Sequence, residues 1–243
     1  MNFKLVLSSL TFILVLFLIF KKEDVAETQI YKGNIMGTSY NITLQSDVSG
    51  EDAHFKAYNI LQKVNQEMST YIDDSLISKV NKADIGKWVK VSQDFLDVLS
   101  FATALCKDTR GIYDVSIGKL VNLWGFGPDS VDKEPSAEEL SYFSSQVGCN
   151  SIELDHLNLS IKKVKDVELD FSSIAKGFGV DKVYEFLIKQ PYLNGFFIEI
   201  GGEIRSTSLK SNDQPWKAGI INPIQQEKLI YTFLSSDFDS FAL

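Results

Sequence analysis

The sequence predicts an α+β protein, with a mixed, largely antiparallel sheet flanked by helices and preceded by an N-terminal membrane segment. Three observations lead there. Residues 5–20 carry no charge at all. Short segments of apolar and polar alternation recur through the second half of the chain. Helical and strand patterns are mixed without the one-for-one alternation that regular βαβ units require.

The first element is the apolar run LVLSSLTFILVLFLIF, preceded by Lys4 and followed by Lys21 and Lys22. It is long for the core of a signal peptide and slightly shorter than the roughly 20 residues of a free-standing span. No small-x-small cleavage site follows it, and no Cys stands near its end to accept a lipid. The expectation is an uncleaved anchor over residues 1–22, with the body outside the cytoplasm; a cleaved signal peptide is the alternative. A run apolar on every face does not suit an amphipathic core helix. Residues 23–33 read as a polar tether and residues 34–243 as the functional domain.

Within that domain, Tyr40, Ile42 and Leu44 alternate with polar neighbours and predict a half-buried strand over residues 38–44. Ala53, Ala57, Ile60, Leu61, Val64 and Met68 follow helical spacing, and the polar residues 69–75 end that helix. Ser92 caps a second helix whose Phe95, Leu99, Ala102 and Cys106 form one face, stopped by Gly111. Pro135, Ser136 and Glu139 mark a capping-box start for a short third helix. From residue 151 the segments SIEL, LNLSI and VELDF predict short strands. Residues 173–190 predict a helix ending before Pro191. GFFIEI, followed by Gly201 and Gly202, reads as a strand and tight turn, and residues 216–221 and 228–234 as two strands joined around Pro223.

Composition narrows the function. The 243 residues include 24 Lys and Arg against 32 Asp and Glu, a formal net charge of −8. Three of the lysines lie in the first 22 residues, which hold no acid, so the body is more acidic still. A nucleic-acid partner is not expected, because phosphate contacts need a basic surface. A phosphate-bearing ligand would need backbone amides or a metal ion between it and the carboxylates. Cys106 and Cys149 match no zinc spacing and read as two separate buried thiols, with one disulfide open if the domain lies outside the cytoplasm. His54 and His156, the only histidines, lie in no hydrolase motif.

Four clusters have chemical potential. In NIMGTSY (34–40), Gly37 would let a ligand approach the backbone, or simply make a turn. In GIYDVSIGKLVNLWGFGP (111–128), Asp114 among apolar neighbours needs hydrogen bonds, from a polar ligand or from nearby amides. Trp124 and Phe126 of the same stretch would plug the core on the ordinary structural reading. In LDFSSIAKGFGVDKV (169–183), a strand-to-helix turn offers free amides and Lys176 to an anion, or is merely a well-packed helix start. In EIGGEIR (199–205), two glycines permit a close ligand, while Glu199, Glu203 and Arg205 read as surface ion pairs.

Taken together and in order, these pieces resemble the ApbE family, the FAD:protein FMN transferases. The matching strings are MGTSYNIT at 36–43, MSTYIDDSLISKVN at 68–81 and YDVSIGKLVNLWGFGP at 113–128. They continue with DFSSIAKGFGVDKV at 170–183, IEIGGEIR at 198–205 and PWKAGIINP at 215–223.

The resemblance implies a Mg²⁺-dependent transfer of FMN from FAD to a Thr hydroxyl of an acceptor flavoprotein, with release of AMP. It implies acceptors among the subunits of redox pumps, and a bacterial inner-membrane protein whose body faces the periplasm, held through residues 5–20. It places FAD contacts at Met36, Tyr71, Ile112, Tyr113, Asp114, Asp170 and Lys176, and a metal ligand at Ser173. Family members continue past the position matching Leu243 with a His-containing segment and a late metal-binding Asp. The expectation is therefore a C-terminally truncated flavin transferase domain whose catalytic groups lie beyond Leu243. A non-catalytic, membrane-tethered flavin-binding protein is the alternative.

Overall fold

In the computed structural model, which describes residues 26–128, 134–225, 228–236 and 240–242, the chain begins with a hairpin. Strand β1 (Glu27–Ile35) pairs along its whole length with β2 (Thr38–Ser46). Their two-residue connection, Met36 and Gly37, has φ of 53° and 72°. That is the left-handed pair a primed hairpin turn demands, and it suits Gly better than Met. The segment expected as a tether is thus largely a strand. Its polar residues suit the edge position, where one side of the ladder is free.

Helix α1 (Glu51–Met68) follows, then α2 (Leu76–Lys82), β3 (Trp88–Lys90) and α3 (Gln93–Asp108). Ser92 accepts from the Phe95 amide at 3.0 Å, the cap that its position predicts. Next come the short α4 (Gly118–Leu123), α5 (Ala137–Gln146), β4 (Ile152–Asp155) and β5 (Ser160–Lys163). The predicted capping box opens α5, with Ser136 and Glu139 bonded reciprocally. Helix α6 (Ala175–Leu187), β6 (Leu193–Ile200), β7 (Glu203–Ser206), β8 (Lys217–Ile221), β9 (Leu229–Leu234) and β10 (Ser240–Ala242) complete the chain.

The large sheet runs β1-β2-β6-β7-β10, a second β3-β5-β4, and β8 pairs with β9; every strand pair is antiparallel. The α+β expectation holds for the body. VELDF departs from it. Only Glu168 bridges, to Ile117. Its neighbours instead bond to a loop and a side chain: Asp170 N–H to Val115 O at 2.8 Å, and Leu169 N–H to Asn81 Oδ1 at 2.7 Å. Residues 5–20 lie outside the described residues, among which no helix is long and apolar enough to cross a membrane.

Two cores result, and α1 serves both. Its first half sets Ala53, Ala57 and Leu61 against Ile42 and Leu44 of β2, Phe196 and Ile198 of β6, and Val183 and Leu187 of α6. Its last turns place Val64 and Met68 in the other core, with Ile77, Phe95, Leu99, Leu169 and Phe171. Asp94 of α3 ties the helices outside these cores, meeting Lys63 of α1 at 2.8 Å and Lys182 of α6 at 3.0 Å. Burial alone would raise its carboxyl pKa, but the two ammonium groups more than offset that and hold it below the usual range.

The two thiols expected to be separate form a disulfide, Cys106 to Cys149. Forty-three positions apart in sequence, they meet because α3 ends beside the turn before β4.

His54 on α1 stacks on Tyr31, with ring centroids 4.4 Å apart, and its Nε2 lies 2.8 Å from the Tyr40 hydroxyl. Burial pushes its pKa below the ordinary value. The fold thus favours neutral His54. That contribution is complete above the unfolded pKa of about 6.5 and is lost as pH falls through the window beneath it. The urea midpoint should drop on acidification, and His54→Gln should flatten that drop; an unchanged pH profile in the variant would refute the assignment.

Candidate functional site

The tip of the β1–β2 hairpin, the last turn of α1 and the first turn of α6 converge on one cleft of about 290 Å³. Met36, Met68, Ile72 and Ala175 form its apolar wall, and Tyr71, Ser172 and Lys176 add polar groups. The left-handed Met36 belongs to this wall. Its sulfur lies 3.5 Å from where a Cβ on Gly179 would stand, so that glycine leaves room for the hairpin tip against α6. A non-Gly residue held in this region stores strain, a recurrent property of ligand sites.

Beside the cleft, and sharing Thr70 with it, lies a polar cavity of about 170 Å³. Asp73, Asn81, Asn122, Glu168 and Asp170 line it. Asp170 is buried, and its Oδ1 accepts from both the amide and the hydroxyl of Ser172, which fixes the turn into α6. No side chain caps that helix, although the Ala175 amide is already taken by the Phe171 carbonyl at 2.8 Å.

Lys176, in that first turn, pairs with Glu203 at 2.9 Å and donates to the Gly201 carbonyl at 3.1 Å. Glu203, read from sequence as a surface charge, is therefore part of the cleft's electrostatics. Its Oε2 is buried without a hydrogen-bond partner, and the ion pair with Lys176 balances its negative charge. Glu199 instead accepts from the Gly202 amide at 2.8 Å and closes the Gly201–Gly202 turn.

Of the sequence-predicted residues, Met36, Tyr71 and Lys176 meet in the cleft, and Asp170 lines the cavity beside it. Tyr71 is exposed, with its hydroxyl donating to the Phe126 carbonyl at 2.8 Å. The Tyr113 hydroxyl lies 3.1 Å from Ser173 Oγ, which joins the 111–117 loop to the start of α6. Asp114 and Ile112 do not join the cleft. Asp114 accepts from the Ser116 amide at 2.8 Å beside an interior crevice near the disulfide, and Ile112 is 91% exposed. Trp124 and Phe126 are exposed as well and do not plug the core.

Sequence reasoning singled out neither Thr70 nor Asn81 as a site residue. Asn81 bonds both backbone groups of Leu169, one residue before Asp170. Its signal is weak, because an Asn within a helix marks nothing until its long-range partner is known.

An α+β fold with an apolar cleft joined to a polar cavity at a helix start has the make-up of a ligand site with an apolar and a polar part. The ApbE family model matches residues 36–241, and the chain belongs to that family. It is 40% identical over 201 residues to an FAD:protein FMN transferase of Haemophilus influenzae, covering 79% of this chain and 58% of the relative. It is 35% identical over 221 residues to the FAD:protein FMN transferase of Vibrio cholerae, covering 86% and 63%. The chain thus spans less than two thirds of the length of either relative.

Among solved structures, the flavin transferase ApbE of Vibrio cholerae superposes with a TM-score of 0.77 at 33% identity, covering 86% of this chain and 68% of that one. The apo flavinyl transferase ApbE of Pseudomonas stutzeri gives 0.75 at 26% identity, covering 85% and 68%.

Proposed function

We propose that this chain serves FAD:protein FMN transfer. The observation that carries the reading is the convergence of Met36, Tyr71 and Lys176, far apart in sequence, on one cleft next to Asp170. The flavin ring would lie against the apolar wall with Tyr71 at its edge. The pyrophosphate would take the start of α6 and Lys176, and Asp170 would accept from hydroxyls of the dinucleotide.

In the reaction, a Thr hydroxyl oxygen of the acceptor forms a bond to the FMN-side phosphorus. The bond from that phosphorus to the bridging oxygen breaks, and AMP leaves with that oxygen and the equivalent of the hydroxyl proton. Positioning and charge neutralisation supply most of the catalysis in such transfers. The Mg²⁺ that the resemblance implies needs about six oxygen ligands. Ser173 Oγ is one oxygen and is engaged with Tyr113. The described residues hold no group of three or more His, Cys, Asp or Glu able to bind a metal. They do not by themselves make a Mg²⁺ site.

That incomplete donor set favours one second reading, a flavin-binding protein without catalysis. The acceptors would be subunits of redox pumps, reached from the periplasmic side of a bacterial inner membrane to which residues 5–20 hold the chain. The Cys106–Cys149 disulfide supports that compartment, because such bonds persist in oxidising surroundings.

Calorimetric titration with FAD tests the site. Lys176→Met should weaken binding by about tenfold or more, since it removes a cation and leaves the Glu203 charge facing the phosphates. Glu203→Gln should bind FAD as well as or better than the parent, because it frees Lys176. Absence of saturable FAD binding, or equal losses in both variants, would exclude the assignment. Incubation with FAD, Mg²⁺ and an acceptor flavoprotein then separates the readings: covalent flavin on the acceptor supports transfer, and binding without it supports the second.

A further inference from the structure

On a chain of net charge −8, one surface is basic. Residues 79–90 contain Lys79, Lys82, Lys87 and Lys90 against a single acid, Asp84. All four lysines, with Trp88, line an open groove of about 470 Å³ between α2 and β3. Lys79 and Lys87 are exposed, and their ammonium groups make no ion pair or hydrogen bond among the described residues. Lys82 donates to the Asp73 backbone carbonyl at 3.1 Å and stands 3.7 Å from the Asp73 carboxylate, and Lys90 bonds the Asn158 carbonyl at 2.5 Å. Trp88 is held from behind by Lys162, whose ammonium lies 4.8 Å from the ring centre and pairs with Glu153 at 2.6 Å.

The groove also has a free backbone edge. Strand β3 is the outermost in the order β3-β5-β4, and among the described residues nothing pairs with its other side. Val91 N–H donates to Leu159 O across the ladder. Antiparallel alternation therefore turns Val89 toward β5 and leaves the N–H and C=O of Trp88 and Lys90 pointing outward. A row of unpaired amides beside four ammonium groups selects its own ligand: an extended backbone bearing carboxylates. The lysines also repel basic strands and discourage apolar ones, which keeps the edge from pairing promiscuously.

We propose that this groove binds an extended, carboxylate-rich segment of the acceptor protein, added as a strand along the free edge of β3. The identity of the partner rests on the transfer reading; the binding chemistry does not. Charge complementarity and backbone pairing together single out a peptide. A membrane surface would be met by protruding apolar side chains rather than by a concave edge, and free phosphate would make no use of the strand. The groove also has a direction, because Lys82 lines both it and the polar cavity containing Asp170. A segment leaving the groove at Lys82 arrives beside the candidate flavin site.

The test uses the full 243-residue chain and a fluorescein-labelled peptide rich in Glu and Asp, followed by anisotropy. Saturable binding is expected, weakened by about tenfold or more in Lys79→Glu/Lys87→Glu and retained in Lys79→Arg/Lys87→Arg. The same composition with Pro at alternate positions should not bind, since Pro cannot donate to a ladder. FAD titration of the charge-reversed protein should match the parent, which shows the fold and cleft intact.

Equal peptide binding by parent and charge-reversed chains would overturn the proposal, as would equal binding of the Pro-substituted peptide. Lysine-dependent sedimentation with phosphatidylglycerol vesicles in place of peptide binding would overturn it in favour of a lipid surface. A chain that binds the acidic peptide but not FAD would sink the flavin reading and leave the groove standing.

Discussion

Removing the Cys106–Cys149 cross-link, by reduction or by Cys106→Ser/Cys149→Ser, lowers the unfolding free energy by about 4 kcal/mol on the chain-entropy model for a loop of this size. The loop is long, the cysteines standing 43 positions apart, so the unfolded chain gains much freedom when the bond opens. The released segments also have work to do in the folded state. Thr109, at the end of α3, accepts the Tyr113 amide at 3.1 Å, and Ser116 Oγ accepts the Gly148 amide at 3.2 Å. Between those two anchors lies Tyr113, which reaches Ser173 at the start of α6. Urea denaturation with and without reductant measures the stability change. Hydrogen exchange on residues 109–117 should rise before exchange in β2 and β6, whose core does not include the cross-link. Identical urea midpoints in the oxidised and reduced forms would show the bond to be energetically idle.

The body was readable in sequence where one element carried its own pattern. The alternation of Tyr40, Ile42 and Leu44 identifies β2, and the face of Ala53, Ala57, Leu61, Val64 and Met68 identifies α1, because each pattern is the burial itself. Caps at Ser92 and Ser136 were equally legible, being local hydrogen bonds. Features set by distant partners were not. Strand β1 looked like a tether because it is a polar edge whose register is supplied by β2. VELDF looked like a strand because its apolar alternation is real, yet its backbone partners are Asn81 and the 115–118 loop. The cysteines left pairing open without fixing it, since only the fold brings the end of α3 to the turn before β4.

The candidate site divides in the same way. Family motifs located Met36, Tyr71, Asp170 and Lys176, but a motif does not state which acid faces which base. Glu203 was legible as a charge and not as the partner of Lys176, a contact made across the β6–β7 turn and the first turn of α6. Asp114 and Ile112 share a string with Tyr113, yet the loop turns them away from the cleft that Tyr71 and Lys176 line.

Asn81→Ala is expected to destabilise the chain by about 2–6 kcal/mol, since it strands two buried backbone groups at roughly 1–3 kcal/mol each. The Asn81 amide donates to Leu169 O at 2.9 Å and accepts from Leu169 N–H at 2.7 Å. The Leu169 side chain is fully buried, and its segment is not in a sheet, so no neighbouring strand can replace those bonds. The Asn81 backbone carbonyl, which the substitution keeps, accepts from Lys163 Nζ at 2.6 Å. Burial lowers the Lys163 pKa, so this buried ammonium depends on the few acceptors it has. Loss of the clamp frees the residue just before Asp170, and FAD affinity should fall along with the urea midpoint. Asn81→Asp separates packing from hydrogen bonding. It keeps the shape and the acceptor but replaces the donor facing Leu169 O with a second carboxylate oxygen. At a pH low enough to keep the new carboxyl neutral beside Asp73, Glu168 and Asp170, Asn81→Asp stays near the parent if packing alone matters. If the clamp matters, it is destabilised as Asn81→Ala is, and a parent-like midpoint for Asn81→Ala would exclude the clamp.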